Sequence, residues 1–88
     1  MKVAYLKRFS KDLNKIKQPK DHQAILEIID LVKKVKYITE IPGARKLTGY
    51  DDAYRIRCGD YRIGVFVSEE IVEFARIAHR KDIYKIFP

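Results

Sequence analysis

The residues best suited to chemistry in this 88-residue chain are basic side chains grouped between positions 54 and 67. Two runs of alternating residues flank Gly59-Asp60. Glycine first in a two-residue connection is typical of a β-hairpin, because glycine adopts positive φ without a Cβ penalty. A two-residue turn fixes the strand register, which predicts that Arg57 lies opposite Arg62 and that Arg55 lies on the same face.

This register gives the two faces of the hairpin different chemistry. One face is apolar and carries Tyr54, Ile56, Cys58, Tyr61, Ile63, Val65 and Val67. The other carries Arg55, Arg57 and Arg62, with Gly64 opposite Arg55 and predicted to leave a hollow beside the arginines. Like charges directly opposite each other destabilise a sheet. Three arginines stacked in this way therefore predict an anionic ligand.

The composition is that of a small, basic, single-domain protein. Residues 1–88 are predicted to form a single domain, and the 47% hydrophobic content is enough for one core. Nineteen Lys and Arg against twelve Asp and Glu give a net charge of +7, which is typical of a nucleic-acid binder or of a protein with an acidic partner.

The single cysteine excludes an intrachain disulfide and a zinc constellation, so neither a metal nor another cofactor is predicted. Cys58 falls on the apolar face of the hairpin, where a buried structural role is expected. No apolar run approaches the length of a membrane span, and the N-terminus lacks a signal-peptide core. The predicted location is cytoplasmic, with no membrane partner.

The order of elements predicts an α+β fold. A short strand at residues 1–6 precedes a helix with an N-cap at Ser10, and a second, longer helix is predicted to start at Asp21. The remaining sheet segments are residues 44–47, the hairpin and residues 71–79. Helices early and strands late favour a small antiparallel sheet, mixed at its edge, with two N-terminal helices on one face. The arginine-bearing face is expected to remain open.

Several segments resemble the RelE/ParE superfamily of toxins from bacterial type II toxin–antitoxin modules. They are Phe9-Ser10-Lys11-Asp12-Leu13, Leu47-Thr48-Gly49, Tyr54-Arg55-Ile56-Arg57, Gly59-Asp60-Tyr61-Arg62 and Ala78-His79-Arg80-Lys81-Asp82-Ile83-Tyr84. The resemblance implies a RelE-like fold and, for the RelE-like branch, a metal-independent endoribonuclease that cleaves mRNA on the ribosome. The alternative is a ParE-like inhibitor of DNA gyrase without nuclease activity.

The resemblance also implies a set of catalytic residues. They are Arg55, Arg57, Arg62, Arg80 and Tyr84. In some ribonuclease members lysines occupy the first two of these positions. Arginine hardly gives up a proton, so a general-base role at those two positions is disfavoured here.

Three further residues are candidates with two interpretations each. Histidine titrates near neutral pH, so His79 is a candidate acid or base, although strand alternation places it on the face opposite Arg80 and a capping role stays open. Lys46 is a candidate RNA contact or a solvated lysine. Arg76 is a candidate RNA contact or the partner of a carboxylate.

The implied partners follow from the family and from the charge. A basic surface with an arginine-lined face favours an acidic segment that folds on binding, which in the family belongs to the antitoxin. The resemblance further implies contact with the ribosome and A-site mRNA, and with operator DNA only through the antitoxin complex. A module that only binds RNA or antitoxin, without catalysis, is a third interpretation.

Overall fold

A computed structural model of the chain describes every residue from Met1 to Pro88. The elements are β1 (Lys2–Tyr5), α1 (Lys7–Lys15), α2 (Pro19–Lys34), a 3₁₀ turn (Ile38–Glu40), β2 (Ala44–Lys46), β3 (Ala53–Cys58), β4 (Tyr61–Ser68), β5 (Ile71–His79) and α3 (Ile83–Ile86). The five strands form one sheet in the order β1-β5-β4-β3-β2. β1 runs parallel to β5 and the other neighbours are antiparallel. The predicted α+β fold with a mixed edge is confirmed.

The β3–β4 hairpin has the register that its two-residue turn predicts. Arg57 pairs with Arg62, and Arg55 pairs with Gly64. Gly59 has a φ of 60°, a conformation that costs glycine little. The turn therefore fixes which side chains share the basic face.

The main core lies between the helices and the apolar face of the sheet. Phe9 of α1 and Ile25 and Val32 of α2 are buried in one cluster with sheet residues such as Ile56 and Ile63. Burying a side chain of this size contributes about 1.5–3 kcal/mol. The prediction that both helices cover the apolar hairpin face is confirmed. No helix of the chain has the length and apolar composition that crossing a membrane requires.

Both predicted helix starts are wrong. α1 begins directly after β1, because the Leu6 carbonyl accepts hydrogen bonds from the N–H groups of Phe9 and Ser10. Ser10 therefore lies inside α1 rather than at its N-cap. α2 begins at Pro19, two residues before Asp21, because proline fits the first helical position, where no intrahelical N–H is needed.

The face opposite α1 and α2 is partly covered, contrary to the expectation that it is open. α3 packs there through Ile83, which forms a second buried cluster with Phe87, Ala53 and Ala75. The Phe87 ring lies against Gly64. The hollow predicted beside the arginines is therefore filled by an aromatic side chain.

Candidate nucleic-acid interface

Four arginines form a continuous basic surface on the face of the sheet away from α1 and α2. Arg45 of β2 pairs with Arg55 of β3, and two residues further along the sheet Arg57 pairs with Arg62 of β4. Directly paired residues share a face, as do alternate residues of one strand. We call Arg45, Arg55, Arg57 and Arg62 the arginine face.

No carboxylate neutralises this surface. The ion pairs of the chain are Arg76–Asp12 and Lys85–Asp82, so no member of the arginine face has an acidic partner within 4.0 Å. Arg80 also has none. Cross-strand pairs of like charge lower the stability of a sheet. The uncompensated charge is thus available to an anionic ligand.

Arg62 is held against the hairpin turn by its own strand. Its Nη1 donates hydrogen bonds of 2.9 Å to the carbonyl oxygens of Gly59 and Tyr61. A guanidinium has five N–H donors in a fixed fork, so donors remain for a phosphate. The two bonds orient the fork at the turn end of the arginine face.

Arg80 lies beside the same turn. Its backbone N–H donates a 2.7 Å hydrogen bond to the carbonyl of Asp60, which ties the end of β5 to the hairpin. The side chain is exposed. The structure thus brings Arg62 and Arg80 to one end of the sheet although they are distant in sequence.

Tyr84 of α3 stacks on Arg55 of the arginine face. The guanidinium carbon of Arg55 lies 5.6 Å from the centroid of the Tyr84 ring, which is cation–π geometry. Tyr84 is 60% exposed, so one side of its ring is free. The pair offers a charge and an aromatic surface side by side.

A cleft of about 430 Å³ opens between the β2–β3 connection and α3, and we call it the C-terminal cleft. Its lining consists of Arg45, Lys46, Leu47, Thr48, Tyr50, Arg55, Tyr84, Phe87 and Pro88. Lys46, a candidate RNA contact or a solvated lysine, lies in the same cleft as Arg55 and Tyr84. Arg57, Arg62 and Arg80 lie outside the cleft.

Arg45 and Tyr50 were not among the predicted site residues. Arg45 joins the site because β2 pairs with β3 in a register that puts it opposite Arg55. The connection between these strands is residues 47–52, which is too long for a turn type to set the register. The one signal in the sequence was that Arg45 is a basic residue in the predicted sheet segment next to the hairpin.

Arg76 pairs with a carboxylate, which decides between the two interpretations of this residue. Its Nε lies 2.7 Å from Oδ2 of Asp12, and its Nη2 lies 3.2 Å from Oδ1. The hydrogen bonds that Arg76 donates to Asp12 raise the pKa of Arg76 above its ordinary value. The same carboxylate accepts the backbone N–H of Ile77 at 3.0 Å. Arg76 therefore fastens α1 to β5.

His79 lies on the helix-covered face of the sheet, as strand alternation predicts. It pairs with Tyr61 across β4 and β5, and the two rings meet edge-on at 6.3 Å. Its Nδ1 accepts the backbone N–H of Lys81 at 3.3 Å, which caps the turn after β5. His79 is thus separated by the sheet from the arginine face.

Cys58 is buried, and desolvation by burial is the main cause that raises the pKa of its thiol. A raised pKa keeps the thiol neutral and unreactive. No three His, Cys, Asp or Glu side chains lie together in a way that would hold a metal ion.

Comparison with known proteins decides the family. The model of the family described as "ParE toxin of type II toxin-antitoxin system, parDE" matches residues 3–84 of this chain. The chain belongs to this family of toxins. With this match the resemblance to the RelE/ParE superfamily is confirmed.

Three proteins similar to this toxin carry RelE names and come from archaea. Toxin RelE3 of Methanocaldococcus jannaschii is 37% identical over 89 residues, which span both chains completely. The toxin in the crystal structure of a RelB–RelE antitoxin–toxin complex from Methanococcus jannaschii is 35% identical, with a TM-score of 0.82 over 98% of this chain and 100% of that one. The archaeal RelE–RelB complex from Pyrococcus horikoshii OT3 matches at 25% identity and a TM-score of 0.74, over 90% of this chain and 93% of that one.

Proposed function

We propose that this toxin is a ribosome-dependent endoribonuclease and that residues 1–88 form its single catalytic domain. The observation that supports this most is the arginine face, whose guanidinium groups have no acidic partner and are joined by Arg80 and Tyr84. Guanidinium groups bind phosphate oxygens in a bidentate fork, and an aromatic ring stacks on a base. The phosphates and the bases of an RNA strand thus each have a group on this face that can bind them.

The reaction that suits these groups is attack by a 2′-hydroxyl on the adjacent phosphorus. The new P–O2′ bond forms as the P–O5′ bond breaks, the 2′-hydroxyl loses its proton, and the leaving 5′-oxygen gains one. The products are a 2′,3′-cyclic phosphate and a 5′-hydroxyl. The transition state carries extra negative charge on the phosphoryl oxygens, which fixed cationic donors stabilise.

In this proposal the residues of the arginine face have different roles. Arg62 and Arg80 at the turn end clamp the scissile phosphate. Arg55 and Arg57 hold the flanking backbone. Tyr84 orients a base over the C-terminal cleft, where Lys46 contacts the strand. Arginine at the first two positions suits charge stabilisation rather than proton abstraction.

We place His79 and Arg76 outside the reacting groups. The imidazole of His79 is on the other face of the sheet and caps a turn. The guanidinium of Arg76 is engaged by Asp12. In this proposal the rate enhancement comes from orientation and charge stabilisation, and the protons exchange with the RNA, the ribosome or solvent.

The proposed inhibitor is an acidic antitoxin that covers the arginine face. The similar structures from M. jannaschii and P. horikoshii are complexes of RelE with RelB. A net charge of +7 favours an acidic, partly disordered partner segment. The remaining partners in this proposal are the ribosome with A-site mRNA in the cytoplasm, and operator DNA only through the antitoxin complex.

The proposal is tested by adding the purified toxin to a translation extract and mapping the ends of the message. Cuts in ribosome-bound message, but not in the same RNA without ribosomes, are the expected result. Fragments should end in a 2′,3′-cyclic phosphate. Intact message under both conditions would overturn the proposal.

The second candidate function is inhibition of DNA gyrase without nuclease activity. It is favoured by the description of the matching family model, which names ParE. A gyrase supercoiling assay with the same preparation separates the two functions. Inhibition of supercoiling together with intact message would establish the gyrase inhibitor in place of the nuclease.

A further inference from the structure

Gly64 lies at the centre of β4, where its lack of a side chain makes room for an aromatic ring. A Cβ built on this glycine would lie 2.5–2.7 Å from three atoms of the Phe87 ring. The backbone of Gly64 is not in the left-handed region, so its conformation suits any residue. The Phe87 ring is therefore the obstacle to a side chain at this position.

The Phe87 ring, which lies against Gly64, attaches α3 to the sheet. Phe87 is 3% exposed, and its ring centroid lies 5.1 Å from that of Phe66. Together with Ile83, which is 1% exposed, it forms the buried cluster on this face, separate from the main core. The docking of α3 thus depends on a small contact area that a single methyl group would disturb.

The same docking sets the position of Tyr84. Gly64 is the direct cross-strand partner of Arg55, and Arg55 lies under the Tyr84 ring. Tyr84 follows Ile83 in α3 and precedes Phe87 by three residues. One turn of helix thus holds both aromatic rings over two neighbouring strands. The Phe87 ring lies on Gly64 of β4, and the Tyr84 ring stacks on Arg55 of β3.

We propose that Gly64 is a positioning residue: by seating Phe87 it holds Tyr84 against Arg55 and closes the C-terminal cleft. A methyl group at position 64 would push the ring back by roughly 0.9 Å, the difference between 2.5 Å and the ordinary contact of 3.4 Å. Such a shift is transmitted to Tyr84 through α3. The effect on cleavage rests on the proposed function, whereas the effect on geometry does not.

The geometry is tested by the NMR signal of the Arg55 Nε–H in purified toxin. The Tyr84 ring current shields this proton, so Tyr84→Ala defines the position of the signal without the ring. Gly64→Ala should move the Arg55 signal most of the way toward that position, while Ile25 and Val32 methyl signals in the main core stay unchanged. An Arg55 signal that stays at its parental position in Gly64→Ala would overturn the proposal.

Two more variants exclude general effects of the substitution. Gly59→Asn adds a side chain in the same hairpin, where asparagine tolerates the positive φ and nothing lies within 4 Å of the added Cβ, and it should leave the Arg55 signal in place. Phe87→Leu removes the ring but keeps Gly64, and should move the signal as Gly64→Ala does. If Phe87→Leu leaves the signal unchanged, the ring does not hold Tyr84 and the proposal fails.

Cleavage is then compared in two backgrounds. Gly64→Ala should lower the cleavage rate of the parent about 10²-fold, because small misplacements of positioning groups cost that much. It should lower the rate of Tyr84→Ala no further. Equal losses in both backgrounds would show a general structural effect and contradict the positioning role. If the parent does not cleave, the proposed function fails, and the Arg55 signal still decides the role of Gly64.

Discussion

Arginines of this toxin differ in what their surroundings leave them free to do. Arg76 is neutralised by Asp12, whereas Arg62 donates only to carbonyl oxygens of its own turn. Arg55 keeps its charge but stacks on Tyr84. A phosphate can bind the arginines that have no carboxylate partner. A guanidinium already paired with a carboxylate has lost much of its attraction for another anion.

Removing either member of the proposed phosphate clamp should abolish most cleavage. Arg62→Ala and Arg80→Ala should each lower the single-turnover rate on ribosome-bound message by about 10²–10³, the usual cost of one well-placed donor to a developing charge. Arg8→Ala is the matched control, because Arg8 is an exposed arginine of α1 outside the arginine face. A clamp variant that cuts as fast as the control would refute the assignment.

The role of Tyr84 is tested by separating its ring from its hydroxyl. The ring stacks on Arg55, and this contact survives in Tyr84→Phe but not in Tyr84→Ala. We expect Tyr84→Phe to cleave within about tenfold of the parent and Tyr84→Ala to lose about 10²-fold, since orientation of a reactant is worth at least that much. Equal losses in both variants, measured on the same message, would assign the effect to the hydroxyl instead.

At the scale of elements, the hairpin was predictable and its surroundings were not. Gly59-Asp60 is a short turn, so local sequence alone fixes the pairs from Cys58↔Tyr61 to Arg55↔Gly64. The β2–β3 register depends on a six-residue connection, so local sequence does not determine that Arg45 lies opposite Arg55. Strand lengths, including β5 at residues 71–79, follow from their apolar and β-branched composition.

Contacts between residues distant in sequence were not predicted, because local sequence does not determine which residues tertiary packing brings together. Asp12 and Arg76 are 64 residues apart, and no local pattern marks either one as the partner of the other. The seat of Phe87 on Gly64 likewise depends on the docking of α3. The candidate site could thus be assembled from the hairpin and the family resemblance, while the cleft that completes it required tertiary packing.

The attachment of α1 to β5 makes a prediction about stability. Asp12→Ala should lower the free energy of unfolding by about 3 kcal/mol, because it leaves Arg76 without its partner and the Ile77 N–H without an acceptor. Asp12→Asn keeps an acceptor for that N–H and should cost less. Urea unfolding measures both, with Asp30→Ala on the exposed face of α2 as control. A loss for Asp12→Ala no greater than that of the control would contradict this role.

At the scale of the whole molecule, the arginine face presents uncompensated positive charge on one side of the sheet. The net charge of +7 includes an arginine face without acidic partners, while α1 and α2 cover the opposite side of the sheet. A fixed basic surface of this kind raises the rate at which an acidic chain associates. RNA and an acidic antitoxin would therefore compete for one side of the molecule.

Salt should weaken the complex with the antitoxin. The Debye length falls from about 10 Å at 0.1 M to about 3 Å at 1 M ionic strength, so charge-driven association slows as salt is added. We expect the association rate constant, measured by surface plasmon resonance between toxin and cognate antitoxin, to fall steadily with sodium chloride. An association rate independent of salt would show that charge does not drive the encounter.

We propose that the toxin cleaves message by attack of a 2′-hydroxyl on the adjacent phosphorus. It is tested most directly with a ribosome programmed with one mRNA that carries a mapped cleavage site in the A site. Two forms of the mRNA are compared, one all-ribose and one with a single 2′-deoxynucleotide on the 5′ side of the scissile phosphate. The toxin should cut the first form and leave the second intact. Cleavage of both forms, or of neither, would contradict this mechanism.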